Sequence, residues 1–79
     1  GPNFSADAAC ASTFAALVGA CQMLQTGQTD LMLCGASDRT MDPGTYAKFS
    51  AIGALSPLHS RPFDVRANGF VMGEGAGCV

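Results

Sequence analysis

The sequence predicts an α/β fold, and three observations carry that expectation. A short extended stretch, Phe4 to Ala8, leads into a helical pattern from Ala11 to Thr26. Along that pattern Phe14, Leu17, Val18, Cys21 and Leu24 recur at the i, i+3, i+4, i+7 spacing of one helix face. A continuous apolar run, Leu31-Met32-Leu33-Cys34, then lies inside a strand expected over Asp30 to Ser37. Strand, helix, strand in this order is a βαβ unit, whose crossover is expected to be right-handed.

Each element has its own local reason. Pro2-Asn3 reads as a turn before the first strand. The face of the helix opposite Phe14 carries Ala15, Ala16, Gly19 and Ala20 with no charge, so burial on all sides is expected. Gly27 supplies the left-handed stop. The run Leu31–Cys34 suits a strand covered on both faces. A second helix opens at Asp42-Pro43, where Asp42 can cap and Pro43 fits the first turn. Tyr46, Phe49 and Ile52 share a face of it, and Gly53 ends it. Ser56 to Ala67 holds two prolines and no periodicity, and is expected as an ordered surface loop. Gly69 to Val79 sets four glycines among apolar residues; it is weak as a strand and suited to close backbone packing.

Composition narrows the function classes. A net charge of −2 with no Lys/Arg cluster gives no argument for nucleic acid or an anionic membrane surface. No apolar run approaches the ~20 residues of a membrane span. The first residues, Gly1-Pro2-Asn3-Phe4, are neither a signal peptide nor a natural initiator, and Gly75-Ala76-Gly77-Cys78-Val79 stops inside what reads as a strand. Residues 1–79 are therefore expected to be an internal piece of a larger domain, one that neither folds stably nor catalyses alone. The cysteines stand at 10, 21, 34 and 78 without a C-x-x-C pair, so no metal site is expected. Cys10 and Cys21 would lie roughly 16 Å apart along one helix, too far for a disulfide. Free thiols fit a reducing cytoplasm.

Cys10 is the candidate of greatest chemical interest. It stands in Asp7-Ala8-Ala9-Cys10-Ala11-Ser12-Thr13, where an extended stretch meets a helix. Unpaired N–H groups and the positive dipole end favour an anion there, and the thiolate is the nucleophilic form of cysteine. The residues alone leave two readings open, a small core hydrophobe or an acyl-accepting nucleophile. His59, the only histidine, falls in the surface loop and is set aside as a base for Cys10. Gly73-Glu74-Gly75 lacks the G-x-x-x-x-G-K-[ST] pattern, so Glu74 reads as structural. Arg61 and Asp64 read as holding the loop by hydrogen bonds and charge.

The chain resembles the β-ketoacyl synthases of fatty-acid and polyketide synthases along its whole length. The segment Asp7–Thr13 is similar to the family's nucleophile motif D-T-A-C-[SA]-S-S, with Ala8 in place of a common threonine and Thr13 in place of a common serine. Ala20-Cys21-Gln22 with Gly27-x-x-Asp30, Phe49-Ser50, Ala54-Leu55-Ser56-Pro57, Arg61-Pro62-Phe63-Asp64 and Gly69 to Gly77 follow in the family's order. Leu58-His59-Ser60 departs from a turn that usually contains glycine.

The resemblance implies a thiolase-like α/β/α/β/α sandwich, with this chain supplying a strand–buried helix–strand core. It implies acyl transfer from an acyl carrier protein to Cys10, then decarboxylative Claisen condensation with a malonyl-type thioester. Cys10 would be nucleophile and backbone oxyanion donor, and Phe49, also readable as core, would line the acyl pocket. The substrates would ride on phosphopantetheine, with no bound cofactor or metal. A cytoplasmic homodimer is implied, paired through the Asp30–Ser37 strand. The family's catalytic histidines and lysine fall downstream of the G-E-G-A-G block, beyond Val79. The alternatives are a homologue that primes or transfers without condensing, a dimerisation scaffold in which Cys10 is only core, and a thiol hydrolase, which needs a nearby histidine.

Overall fold

The computed structural model describes every residue from Gly1 to Val79. The chain forms a 3-10 turn, Ala9–Ala11, then helix α1, Ser12–Gln25, strand β1, Gly35–Asp38, helix α2, Pro43–Ala51, and strand β2, Gly75–Cys78. These belong to two compact units, one of Gly1–Ser37 with Ala76–Val79, the other of Asp38–Gly75.

In the first unit, α1 stops where the sequence says it should. Thr26 is the C-cap, and Gly27 follows at φ +69, a conformation open to glycine without penalty. The helix is not enclosed as expected. Ala20 is its one buried residue, while Phe14 is 72% exposed and Val18 56%. Only one face finds a neighbour, where the ring of Phe4 lies so close to Gly19 that a methyl group there would sit 2.9 Å from Phe4 Cζ. Phe4–Ala8 forms no strand, because no segment of the chain offers it a ladder partner; the expected βαβ crossover is absent with it.

The expected Asp30–Ser37 strand is shorter and shifted, to Gly35–Asp38. It pairs with β2 in a two-stranded sheet. Cys34 and Val79 exchange both backbone hydrogen bonds at 2.8 Å, the signature of antiparallel pairing. The run before β1 is covered on one side only. Leu31 and Leu33 are exposed and Met32 and Cys34 half-buried, so the continuous apolar pattern becomes a period of two. A groove of about 360 Å³, lined by Phe4, Ala16, Ala20, Leu31 and Met32 among others, opens beside this run.

In the second unit, α2 follows its sequence signals closely. Asp42 Oδ1 accepts hydrogen bonds from the N–H groups of Gly44 at 2.8 Å and Thr45 at 3.1 Å, and Oδ2 accepts from the Thr45 hydroxyl at 2.7 Å. These bonds, the Thr45 hydroxyl's above all, hold the Asp42 carboxyl below the usual aspartate range. Pro43 occupies the first turn and Gly53 follows the helix at φ +69. The Phe49 ring then meets Phe70 edge to face at 5.3 Å. Phe70 is fixed by a parallel bridge to Leu55, its N–H donating to Ala54 at 2.9 Å and its carbonyl accepting from Ser56 at 2.9 Å.

The loop is ordered by local polar contacts, and both Arg61 and Asp64 take part in them. Asp64 is bidentate with Arg66, at 3.1 and 2.9 Å. Two residues' separation puts the Arg66 guanidinium in reach, and that bond lowers the Asp64 pKa and raises that of Arg66. Arg61 contributes its carbonyl, which accepts from Asp64 N–H across a turn with Pro62 second and Phe63 third at φ +65. Glu74 stands 4.0 Å from Arg39 in an exposed pair of little energetic weight.

Two expectations follow. The isolated 79 residues leave Phe14, Leu31, Leu33 and Ile52 mostly in water, so circular dichroism should show no cooperative thermal unfolding; a sharp, concentration-independent transition would contradict this. Gly69 sits at φ +128, and a Cβ there would lie 2.7 Å from Ala54 O. In the full-length protein Gly69→Ala should cost about 1–3 kcal/mol or more and speed hydrogen exchange at the Phe70 and Ser56 amides.

Candidate active site

Cys10 occupies the middle of the 3-10 turn that precedes α1, and its side chain is exposed. The turn is built from local polar contacts. Asp7 Oδ1 accepts from Ala9 N–H at 3.0 Å. The Ser12 hydroxyl accepts from Ala8 N–H at 3.0 Å and donates to Ala9 O at 2.6 Å. Ala11 N–H donates to Ala8 O at 3.0 Å. The N–H groups of Ala8, Ala9 and Ala11 are thereby engaged, and that of Cys10 is not.

This geometry carries strain immediately before the cysteine. Ala9 has φ +51, a left-handed conformation that costs a residue with a Cβ roughly 1–2 kcal/mol. Small side chains at positions 8, 9 and 11 leave the sulfur open to approach. Exposed thiol, open N–H and uncrowded surroundings together suit attack on a carbonyl carbon and capture of the oxyanion that results.

The other expected residues stand elsewhere. Phe49 is half-buried on α2 against Phe70 in the second unit. His59 lies exposed in the loop, its backbone N–H 3.3 Å from the Ser56 hydroxyl. All four cysteines are free, Cys10, Cys21 and Cys78 exposed and Cys34 half-buried, so exposure alone does not single out Cys10. No three of the His, Cys, Asp and Glu side chains gather where they could hold a metal ion, and no helix is long and apolar enough to cross a membrane.

The holding roles of Asp7 and Ser12 are not apparent from the motif as a list of residue types. Their signal is spacing. An aspartate two residues before Ala9 can accept from its N–H, and a serine four after Ala8 can reach back over one turn.

Comparison with known proteins places the chain in a family. The model of the Beta-ketoacyl synthase, N-terminal domain matches residues 1–79. The chain is 46% identical over 80 residues to a phenolphthiocerol/phthiocerol polyketide synthase of Mycobacterium tuberculosis, covering 100% of this chain and 5% of that protein. It is 43% identical over 85 residues to the 3-oxoacyl-[acyl-carrier-protein] synthase 2 of a Synechocystis species, covering 100% of this chain and 20% of that protein. A fungal relative, the highly reducing polyketide synthase dmxL2 of a Cryptosporiopsis species, is 42% identical over 80 residues, which are 3% of its length. The chain belongs to the β-ketoacyl synthase family, and it spans a fifth or less of the length of these relatives.

Ser12→Ala removes both bonds that the hydroxyl makes around Cys10. In the full-length protein it should slow alkylation of Cys10 by a small thiol reagent and leave alkylation of Cys21 unchanged, as read by peptide mass mapping. Equal rates at Cys10 in both proteins would show that the hydroxyl does not hold the turn.

Proposed function

We propose that this chain carries the nucleophile of a β-ketoacyl synthase that performs acyl transfer and decarboxylative condensation within a fatty-acid or polyketide synthase. The observation that carries the reading is the open backbone N–H of Cys10 beside its own exposed thiol, in a turn whose other N–H groups are bonded. The family membership supports it.

In this reading the Cys10 sulfur attacks the carbonyl carbon of an acyl thioester presented on an acyl carrier protein. The oxyanion is held by the Cys10 N–H, the carrier thiol leaves, and the acyl group remains on Cys10. A malonyl-type thioester then loses carbon dioxide. Its enolate carbon attacks the Cys10 thioester carbonyl, a carbon–carbon bond forms, and the cysteine thiolate departs. The groups that assist decarboxylation are proposed to come from outside these 79 residues, as the family resemblance implies, with His59 in the loop before Arg61 set aside from that role. Phe49 is proposed to line the acyl pocket, its ring edge set by Phe70.

The exposed apolar faces of α1 and of Leu31–Leu33 support a further part of the proposal. Residues 1–79 would be one portion of a thiolase-like sandwich whose remaining layers cover them. The mature assembly would be a cytoplasmic homodimer paired through the Asp30–Ser37 segment, whose residues 35–37 fall in β1 and leave one edge unpaired.

The test is acyl-thioester loading of the full-length protein followed by peptide mapping. Label should appear on Cys10, and Cys10→Ala should abolish both loading and condensation while circular dichroism stays unchanged. Label on Cys21, Cys34 or Cys78 instead would overturn the assignment.

A further inference from the structure

Asn68 and Gly69 lie between two fixed points of the second unit. Before them, Ala67 N–H donates to Asp64 O at 2.9 Å; after them, Phe70 N–H donates to Ala54 O at 2.9 Å and Val71 N–H to the Ser60 hydroxyl at 2.8 Å. The Gly69 N–H, in the midst of these, has no acceptor. Asn68 is exposed. Glycine puts no side chain over its own nitrogen, so that nitrogen is open to the asparagine amide just before it. The only other asparagine, Asn3, is followed by Phe4, whose ring crowds the same approach.

We infer that Asn68 is a site of spontaneous deamidation and isomerisation, and that isomerisation there unfastens the Leu55–Phe70 bridge. The chemistry needs only water. The Gly69 amide nitrogen loses its proton to hydroxide and attacks the Asn68 side-chain carbonyl carbon. The carbon–nitrogen bond of the side-chain amide breaks, ammonia leaves, and a five-membered succinimide forms. Water then opens the ring at one carbonyl or the other, leaving aspartate or isoaspartate at position 68.

The two products differ in the main chain. Aspartate preserves it. Isoaspartate routes it through the side-chain carbon and inserts one backbone atom immediately before Gly69. Gly69 has no room to absorb that change, because even a methyl group on it would lie 2.7 Å from Ala54 O and Leu55 C and 2.8 Å from Ser56 N. The Phe70 bonds to Ala54 and Ser56 are lost, and with them the support of the Phe49 ring. The site therefore couples chemical ageing to the packing of α2.

The test holds the full-length protein at mildly alkaline pH, then maps peptides by mass and by enzymatic methylation of isoaspartyl residues. The peptide containing Asn68 should convert to acid and isoaspartate while Asn3 keeps its amide. In the isoaspartate fraction the Phe70 and Ser56 amides should lose protection against hydrogen exchange. An Asn68→Ser protein aged alongside should show no conversion and keep that protection. Retention of the Asn68 amide, equal conversion at Asn3, full protection in the isoaspartate fraction, or lost protection in the aged Asn68→Ser protein would each overturn the inference.

Discussion

The turn from Asp7 to Ser12 is the constraint on which the functional reading depends. Ala9 at φ +51 costs roughly 1–2 kcal/mol, and nothing in its side chain compensates. Four hydrogen bonds act against that cost, two through the Ser12 hydroxyl, one through Asp7 Oδ1 and one from Ala11 N–H to Ala8 O. At roughly 0.5–1.5 kcal/mol each before the discount that exposure requires, they are of the same order as the strain. The balance keeps the cysteine at the helix mouth and engages the N–H groups of Ala8, Ala9, Ala11 and Ser12 while leaving that of Cys10 open. Strain and hydrogen bonding meet at Ala9, the residue immediately before the nucleophile candidate.

The second unit is organised on a comparable but separate principle. A single bridge, Leu55 with Phe70, joins the residues after α2 to those before β2. The absence of a side chain at Gly69 permits it, and the buried Ser56 hydroxyl, accepting from Leu58 and His59 N–H, steadies its other side. Phe49 is fixed by what Phe70 does, so the loop and the helix share one support. The Asp64–Arg66 fork ties the outer end of the loop to itself and adds order more than energy.

What can be read from the sequence is what local chemistry determines. The cap at Asp42, the proline after it and the stops at Gly27 and Gly53 depend on neighbours a few residues away, and all stand where the residue types put them. So does Cys10 at the start of a helix. What cannot be read depends on partners distant in sequence. Phe4–Ala8 has the residues of a strand but no segment here to bond with, and α1 has the composition of a buried helix but one covered face. The partner of Asp64 is not legible from residue types, since arginines stand within three residues on both sides; the fold pairs it with Arg66. The family motif marks the cysteine; the role of Ser12 emerges only from the geometry.

The most direct test is a crystal structure of the full-length protein with an acyl group on Cys10. The thioester oxygen should accept a hydrogen bond from the Cys10 N–H, with Ala9 still at positive φ and the Ser12 hydroxyl still bonded to Ala8 and Ala9. An acylated structure in which that N–H is bonded elsewhere in the chain, or in which Ala9 has relaxed to negative φ while the acyl group remains, would contradict this mechanism.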